Sequence, residues 1–287
     1  MKTRHFDQMP KAYVAYPKVL KSVLNKKPAP KKKLLSQVTY VVDALKIDAQ
    51  HLQRYNALCG FGQDGTVPAI YLAVLAQSLQ MQMMTSEPFP FALLGLVHIR
   101  NQIKQHRVIT QDEVLTLSCA FGELQPHDKG LQFDFIITAK VGDDVVMEGV
   151  TTYLSRQKVT EKSVEKAKAA KHPVYQPHAT IEVAENTGRR YALISGDFNL
   201  IHIHALTAKA FGFKKAIAHG MWTKAKALVA LSPLPASYEV DIWFKLPIFL
   251  PSTVELKISQ QEKTTDILVS DRKNNKPHLT GELVDLS

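Results

Sequence analysis

An internal repeat constrains the fold of this 287-residue chain more than any other feature. Arg54-Tyr55-Asn56-Ala57-Leu58-Cys59-Gly60 matches Arg190-Tyr191-Ala192-Leu193-Ile194-Ser195-Gly196 at a constant offset of 136, each closing on a small residue and then glycine. An apolar segment with helical patterning follows in each half, at residues 68–84 and 219–231. Runs of β-branched and alternating residues come next, at 91–103, 113–121, 131–141 and 145–154, then at 238–244, 253–260, 265–270 and 278–286. Gly142-Asp143-Asp144 and Asn274-Asn275 occupy equivalent turns. Each repeat is expected to be one helix followed by an antiparallel meander of four strands.

In the first helix Ile70, Leu72, Val74, Leu75, Leu79, Met83 and Met84 leave little polar face. A helix apolar on most sides must be covered on most sides, and a curved antiparallel sheet wrapped around it does so. The expected class is α+β, built from two such repeats. Most of this apolar surface is core, but Met81, Met83 and Met84 are adaptable enough to be candidates for the wall of an apolar tunnel.

The boundaries read as a basic N-terminal extension (1–33), a first repeat (34–155), a lysine-rich linker (156–174) and a second repeat (175–287). The formal charge of +10 concentrates in residues 18–33, with Lys26, Lys27, Lys31, Lys32 and Lys33, and in residues 156–171. Such runs are solvated faces or linkers, or they attract an acidic carrier protein or nucleotide phosphates. They lack interleaved aromatics and zinc-finger spacing, so nucleic acid is not an expected partner. No apolar run approaches the roughly 20 residues of a membrane span, and no secretory signal is read at the start. Cys59 and Cys119 have no metal-ligand spacing around them, which suggests neither a disulfide framework nor a zinc site and makes a reducing, cytoplasmic setting the expectation.

Chemistry concentrates in Ser195-Gly196-Asp197-Phe198-Asn199-Leu200-Ile201-His202 and in Ala218-His219-Gly220-Met221. Asp197 and His202 stand five apart, which does not put them on one helix face, so a turn must bring them together; Ser195-Gly196-Asp197 supplies turn chemistry. A carboxylate and a mostly neutral imidazole could share one water, one group taking its proton and the other donating a proton to the adjacent carbon. The Asn199 amide could orient water or a carbonyl. The Gly220 amide, at a helix N-terminus, could stabilise developing charge on oxygen. Taken singly, each residue is better read as part of an Asp-Asn turn capping a helix or, for His202, as a satisfied surface or core histidine.

Together, residues 191–208 resemble the signature of the MaoC-like dehydratases, also called type 2 or (R)-specific enoyl-CoA hydratases. Tyr191, Ser195-Gly196-Asp197, Asn199, Ile201-His202 and Ala208 stand in the signature's places, and Leu200 stands where the family usually has proline. Ile217-Ala218-His219-Gly220-Met221 and Trp243-Phe244-Lys245-Leu246-Pro247 also look like this family. The resemblance implies a hotdog fold, two copies of which form a pseudo-dimer in one chain. It also implies reversible addition of water to a 2-enoyl thioester, giving the (R)-3-hydroxyacyl thioester. By carry-over, Asp197 and His202 form the acid/base pair, Asn199 positions water or thioester, and Gly220 donates to the oxyanion. No metal or redox cofactor is implied, because coenzyme A or acyl carrier protein arrives as part of the substrate.

At the offset of 136, Phe61 stands where Asp197 does, so the first repeat is expected to be non-catalytic. Its Gly60 lies eight residues before Pro68, whereas Gly196 lies twenty-three before His219, and this shortening is expected to open room for a long acyl chain. The implied assembly is a monomeric pseudo-dimer or a homodimer of it. Two other readings stay open: a hotdog acyl thioesterase, and a non-catalytic acyl-thioester-binding protein.

Overall fold

The computed structural model describes residues 2–11, 34–157 and 173–287, so most of both basic runs lies outside the described residues. Eleven strands form one sheet, in the order β1-β2-β4-β5-β6-β3-β8-β11-β10-β9-β7. The first half contributes β1 (Lys2–Phe6), β2 (Val38–Lys46), β3 (Leu96–Gln105), β4 (Val114–His127), β5 (Gly130–Val141) and β6 (Asp144–Arg156). The second contributes β7 (Gln176–Val183), β8 (Tyr238–Phe244), β9 (Ser252–Gln260), β10 (Thr264–Asp271) and β11 (Pro277–Asp285). Helices α1 (Ala49–Cys59) and α2 (Ala69–Ser86) fall between β2 and β3, and α3 (Thr187–Ser195), α4 (Ala205–Ala210) and α5 (Gly220–Ala230) fall between β7 and β8.

Apart from β1, the strand order is a palindrome. β2, β3, β4, β5 and β6 correspond to β7, β8, β9, β10 and β11, and the halves meet where β3 pairs antiparallel with β8, from Arg100 opposite Trp243 to Gln105 opposite Tyr238. This is the double-hotdog arrangement: one continuous sheet with a buried helix from each half packed on it.

Each repeat has five strands rather than the four expected. β2 and β7 precede the helices and pair with β4 and β9, covering edges that a meander alone would leave open. β3 begins at Leu96 rather than residue 91, and β4 runs on to His127. Lys2–Phe6, placed in an extension by the sequence, pairs parallel with β2.

Helix α2 accounts for much of the core. Tyr71, Leu72, Val74, Leu79 and Met83 are almost completely buried, sharing a cluster with Leu117, Phe133, Phe135 and Ile137 of the sheet. Near-continuous apolarity follows from having sheet on one side and the second half on the other. The repeated Arg-Tyr segments become α1 and α3, each ending on a glycine in the left-handed conformation, Gly60 at φ 98° and Gly196 at φ 74°. Tyr55 and Tyr191 from these helices approach each other, with ring centroids 6.5 Å apart.

Candidate active site

A cavity of about 570 Å³ opens between the halves. Asp197, Asn199, His202 and Gly220 all lie on its wall. The route from sequence to geometry is local. Gly196 ends α3 and turns the chain; Asp197 accepts from the Asn199 N–H at 3.1 Å, and Asn199 caps a one-turn 3₁₀ helix, Leu200–His202. The turn thus supplies what a regular helix could not, bringing residues five apart to one wall.

The tautomer of His202 follows from its partner. Its Nδ1 lies 2.8 Å from the Ile217 carbonyl, which only accepts, so Nδ1 carries the proton and donates, leaving Nε2 with a lone pair in the neutral ring. Burial lowers the His202 pKa, outweighing the attraction of Asp197 and the bond to Ile217. Asp197 is held below the usual carboxylate range. Burial works against its ionisation, but His219, His202, the Asn199 N–H and a hydrogen bond with Gln77 together favour the anion. At neutral pH the wall therefore presents an ionised carboxylate and an uncharged imidazole.

His219 is the functional neighbour that sequence reasoning left without a role. It occupies the residue just before α5, stacks on His202 with ring centroids 3.7 Å apart, and donates from Nε2 to the Asp197 carbonyl at 3.1 Å. Burial drives its pKa down to about 3, and its Nδ1 is buried without a partner. Its place in Ala218-His219-Gly220 was the available signal. Gly220 is the first residue of α5, where backbone N–H groups lack intrahelical acceptors. A Cβ there would lie 2.9 Å from the Phe244 ring, so glycine alone fits between that ring and the helix.

The first half builds much of the opposite wall, through Ala73, Val74, Gln77 and Gln80 of α2 and His98 of β3. His98 donates from Nε2 to the Arg100 carbonyl at 3.0 Å, and burial lowers its pKa to about 4. One expectation needs correction. Met81, Met83 and Met84 are not on the wall: α2 meets the cavity along residues 73–80, and the methionines fall in its final turns, where Met83 and Met84 are buried in the core and Met81 packs against it. The shortened loop at 60–68 is itself off the wall, and Phe61 stacks on Tyr55 with ring centroids 6.1 Å apart.

Among the described residues, Asp197, His202 and His219 form a group able to hold a metal ion, with ligand atoms within 4.8 Å of one another. No described helix is long and apolar enough to cross a membrane.

Comparison with known proteins agrees with this fold. The family described as MaoC like domain matches residues 165–276. The chain is 32% identical over 254 residues to the 3-hydroxyacyl-thioester dehydratase X (HtdX) of Mycobacterium tuberculosis, spanning 88% of this chain and 91% of that protein. A crystal structure of HtdX superposes with a TM-score of 0.76 and 31% identity, covering 86% of this chain and 100% of the other. A MaoC-like dehydratase from Phytophthora capsici shares the fold at a TM-score of 0.73 and 18% identity, over 91% of this chain and 98% of its own. With the double-hotdog topology, the Asp-x-Asn-x-x-His turn on the cavity wall and close to a third of the sequence shared along most of both chains, the protein belongs to the MaoC-like dehydratase family.

Proposed function

We propose that the protein catalyses reversible hydration of 2-enoyl thioesters to (R)-3-hydroxyacyl thioesters in fatty-acid metabolism. The observation that carries this reading is one wall holding two proton acceptors, the Asp197 carboxylate and the His202 imidazole, close to an open helix N-terminus at Gly220. A water donating to both acceptors adds its oxygen to the β-carbon while one acceptor takes its proton. That proton is delivered to the α-carbon, and dehydration runs the same steps backwards. Charge that builds on the thioester oxygen meets the Gly220 N–H. Asn199 orients water or thioester, and Gln77 and His219 hold Asp197 in place. These groups supply acid–base and electrostatic catalysis without a metal or redox cofactor.

In this reading residues 175–287 carry the chemistry and residues 34–155 form the non-catalytic repeat, shaping the room for the acyl chain through α2 and β3. One chain then holds one active site, whether it works as a monomer or as a homodimer of pseudo-dimers. A cytoplasmic location suits Cys59 and Cys119, both buried and free.

The test uses crotonyl-CoA. Loss of the enoyl absorbance without release of free thiol is expected, and thiol release instead would make the protein a thioesterase. Asp197→Asn and His202→Ala should each reduce kcat by about 10²-fold or more while leaving the melting temperature near wild type. Activity unchanged in both variants would overturn the assignment.

A further inference from the structure

Among the described residues, the cavity wall carries two formal charges besides Asp197, both positive: Arg156 at the end of β6 and Lys245 just after β8. Both are exposed, whereas His202 is buried and Asp197 partly so, which puts the cations at the mouth and the reacting groups at depth. They come from opposite halves of the pseudo-dimer, on β6 and just after β8, the two strands that flank β3 at the junction. A third cation stands beside them. In the β5–β6 pairing Gly130 lies opposite Arg156, and the Gln157 N–H donates to the Lys129 carbonyl at 3.0 Å, so Lys129 and Arg156 share one end of the sheet.

Among the described residues no acidic side chain forms an ion pair with Lys129, Arg156 or Lys245, and the nearest acid in sequence, Asp128, is engaged by His127 at 2.6 Å. Lys245 is also held in position, its ammonium 5.2 Å from the centre of the Trp243 ring. Partial burial and the facing charge of Lys129 both lower its pKa, the mark of a cation kept near its like without a counter-ion. Rounding out the mouth, His278 donates from Nδ1 to the Leu246 carbonyl at 3.1 Å, which leaves Nε2 unused by that bond.

We infer that Lys129, Arg156 and Lys245 form a phosphate clamp that binds the phosphate of the pantetheine arm on which the acyl thioester is carried. The inference rests on the thioester reading above and deepens it by naming the group recognised outside the acyl chain. A phosphate matches the observation better than a carboxylate, because the tetrahedral spread of its acceptor oxygens can engage cations from two directions at once. The arm phosphate is common to coenzyme A and acyl carrier protein, so the clamp reads the shared part of both carriers. It also gives the first repeat a contribution to binding through Lys129 and Arg156, although that repeat lacks the catalytic acid.

The experiment compares wild type with the double variant Arg156→Glu and Lys245→Glu, and with Lys129→Glu alone. Substrates are crotonyl thioesters of coenzyme A, acyl carrier protein, phosphopantetheine and phosphate-free pantetheine. The double variant should raise KM about tenfold or more on the three phosphate-bearing substrates with kcat within about twofold, and the penalty should shrink at high salt. Lys129→Glu should raise it about threefold. On the pantetheine thioester the KM penalty of either variant should fall below about twofold. An equal penalty on all four substrates would overturn the clamp, as would a penalty confined to coenzyme A, which would place the recognised phosphate on the nucleotide. Calorimetric titration with free phosphopantetheine, which lacks the nucleotide phosphates, separates the two levels of the argument. A wild-type protein that binds it and loses binding in the double variant supports the clamp even if no thioester is hydrated, whereas hydration with unchanged binding in the variant overturns the clamp and leaves the activity standing.

Discussion

Gly188→Ala tests whether the His202 turn is held in place by α3. A Cβ on Gly188 would lie 2.0 Å from the His202 carbonyl oxygen, 3.0 Å from its carbonyl carbon and 3.4 Å from Leu250 Cδ1. Two effects of opposite sign compete. Alanine is the better helix former, by about 1 kcal/mol at an interior position. Relieving the contact, however, requires the turn or the helix to move by about 1 Å, and overpacking of this kind costs about 1–3 kcal/mol. The clash involves backbone on both sides, so no side chain can swing away and the cost outweighs the gain. The element that moves carries the imidazole, and a misplacement of about 1 Å can lower turnover on the order of 10²-fold. Crotonyl-CoA hydration should therefore show a large fall in kcat with KM little changed, and thermal melting a shift of about 2–4 °C for each kcal/mol lost. Gly149→Ala is the control, because its Cβ would sit 3.5 Å from the nearest atom, an ordinary contact, and it should keep wild-type turnover. A Gly188→Ala enzyme with kcat within twofold of wild type would refute the claim that this helix positions the turn.

Replacing His219 with alanine removes the ring stacked on His202 and the donor to the Asp197 carbonyl; kcat should drop about 10–100-fold, with the loss read in kcat rather than KM. Stability should rise with pH up to the ordinary histidine range. His98 and His219 have folded pKa values lowered by burial to about 4 and about 3, and His202 is lowered as well, so below about pH 6.5 the unfolded chain binds protons that the native state refuses. Passage from the unfolded value to about 4 costs up to about 3 kcal/mol for His98 alone, and urea denaturation between pH 7 and 4 in wild type and a His98→Gln variant would expose the difference in slope. Val74→Phe, on the cavity wall, should shift preference towards shorter acyl thioesters, whereas Met84→Leu, in the core, should leave chain-length preference unchanged in a panel of enoyl thioesters.

The sequence by itself determined the features that depend on nearby residues. Hydrophobic patterning showed α2, α5 and eight of the strands. The constant offset between Arg54-Tyr55 and Arg190-Tyr191 showed the duplication, and the Asp197-to-His202 motif showed where the chemistry sits. These were legible because helix period, strand alternation and turn chemistry are set over a few residues. β7 was harder to see, carrying Pro177 and few bulky apolar residues, and it is a strand because β9 offers it an edge. Only the tertiary structure decided which residues meet at the cavity. It joined β3 to β8, brought Gln77 and His98 of the first half towards Asp197 of the second, stacked His219 on His202, and sent the methionines of α2 into the core. Those outcomes rest on contacts between residues tens to more than a hundred positions apart. A helix buried on nearly every side gives no local sign of which turns face a cavity and which face packed side chains.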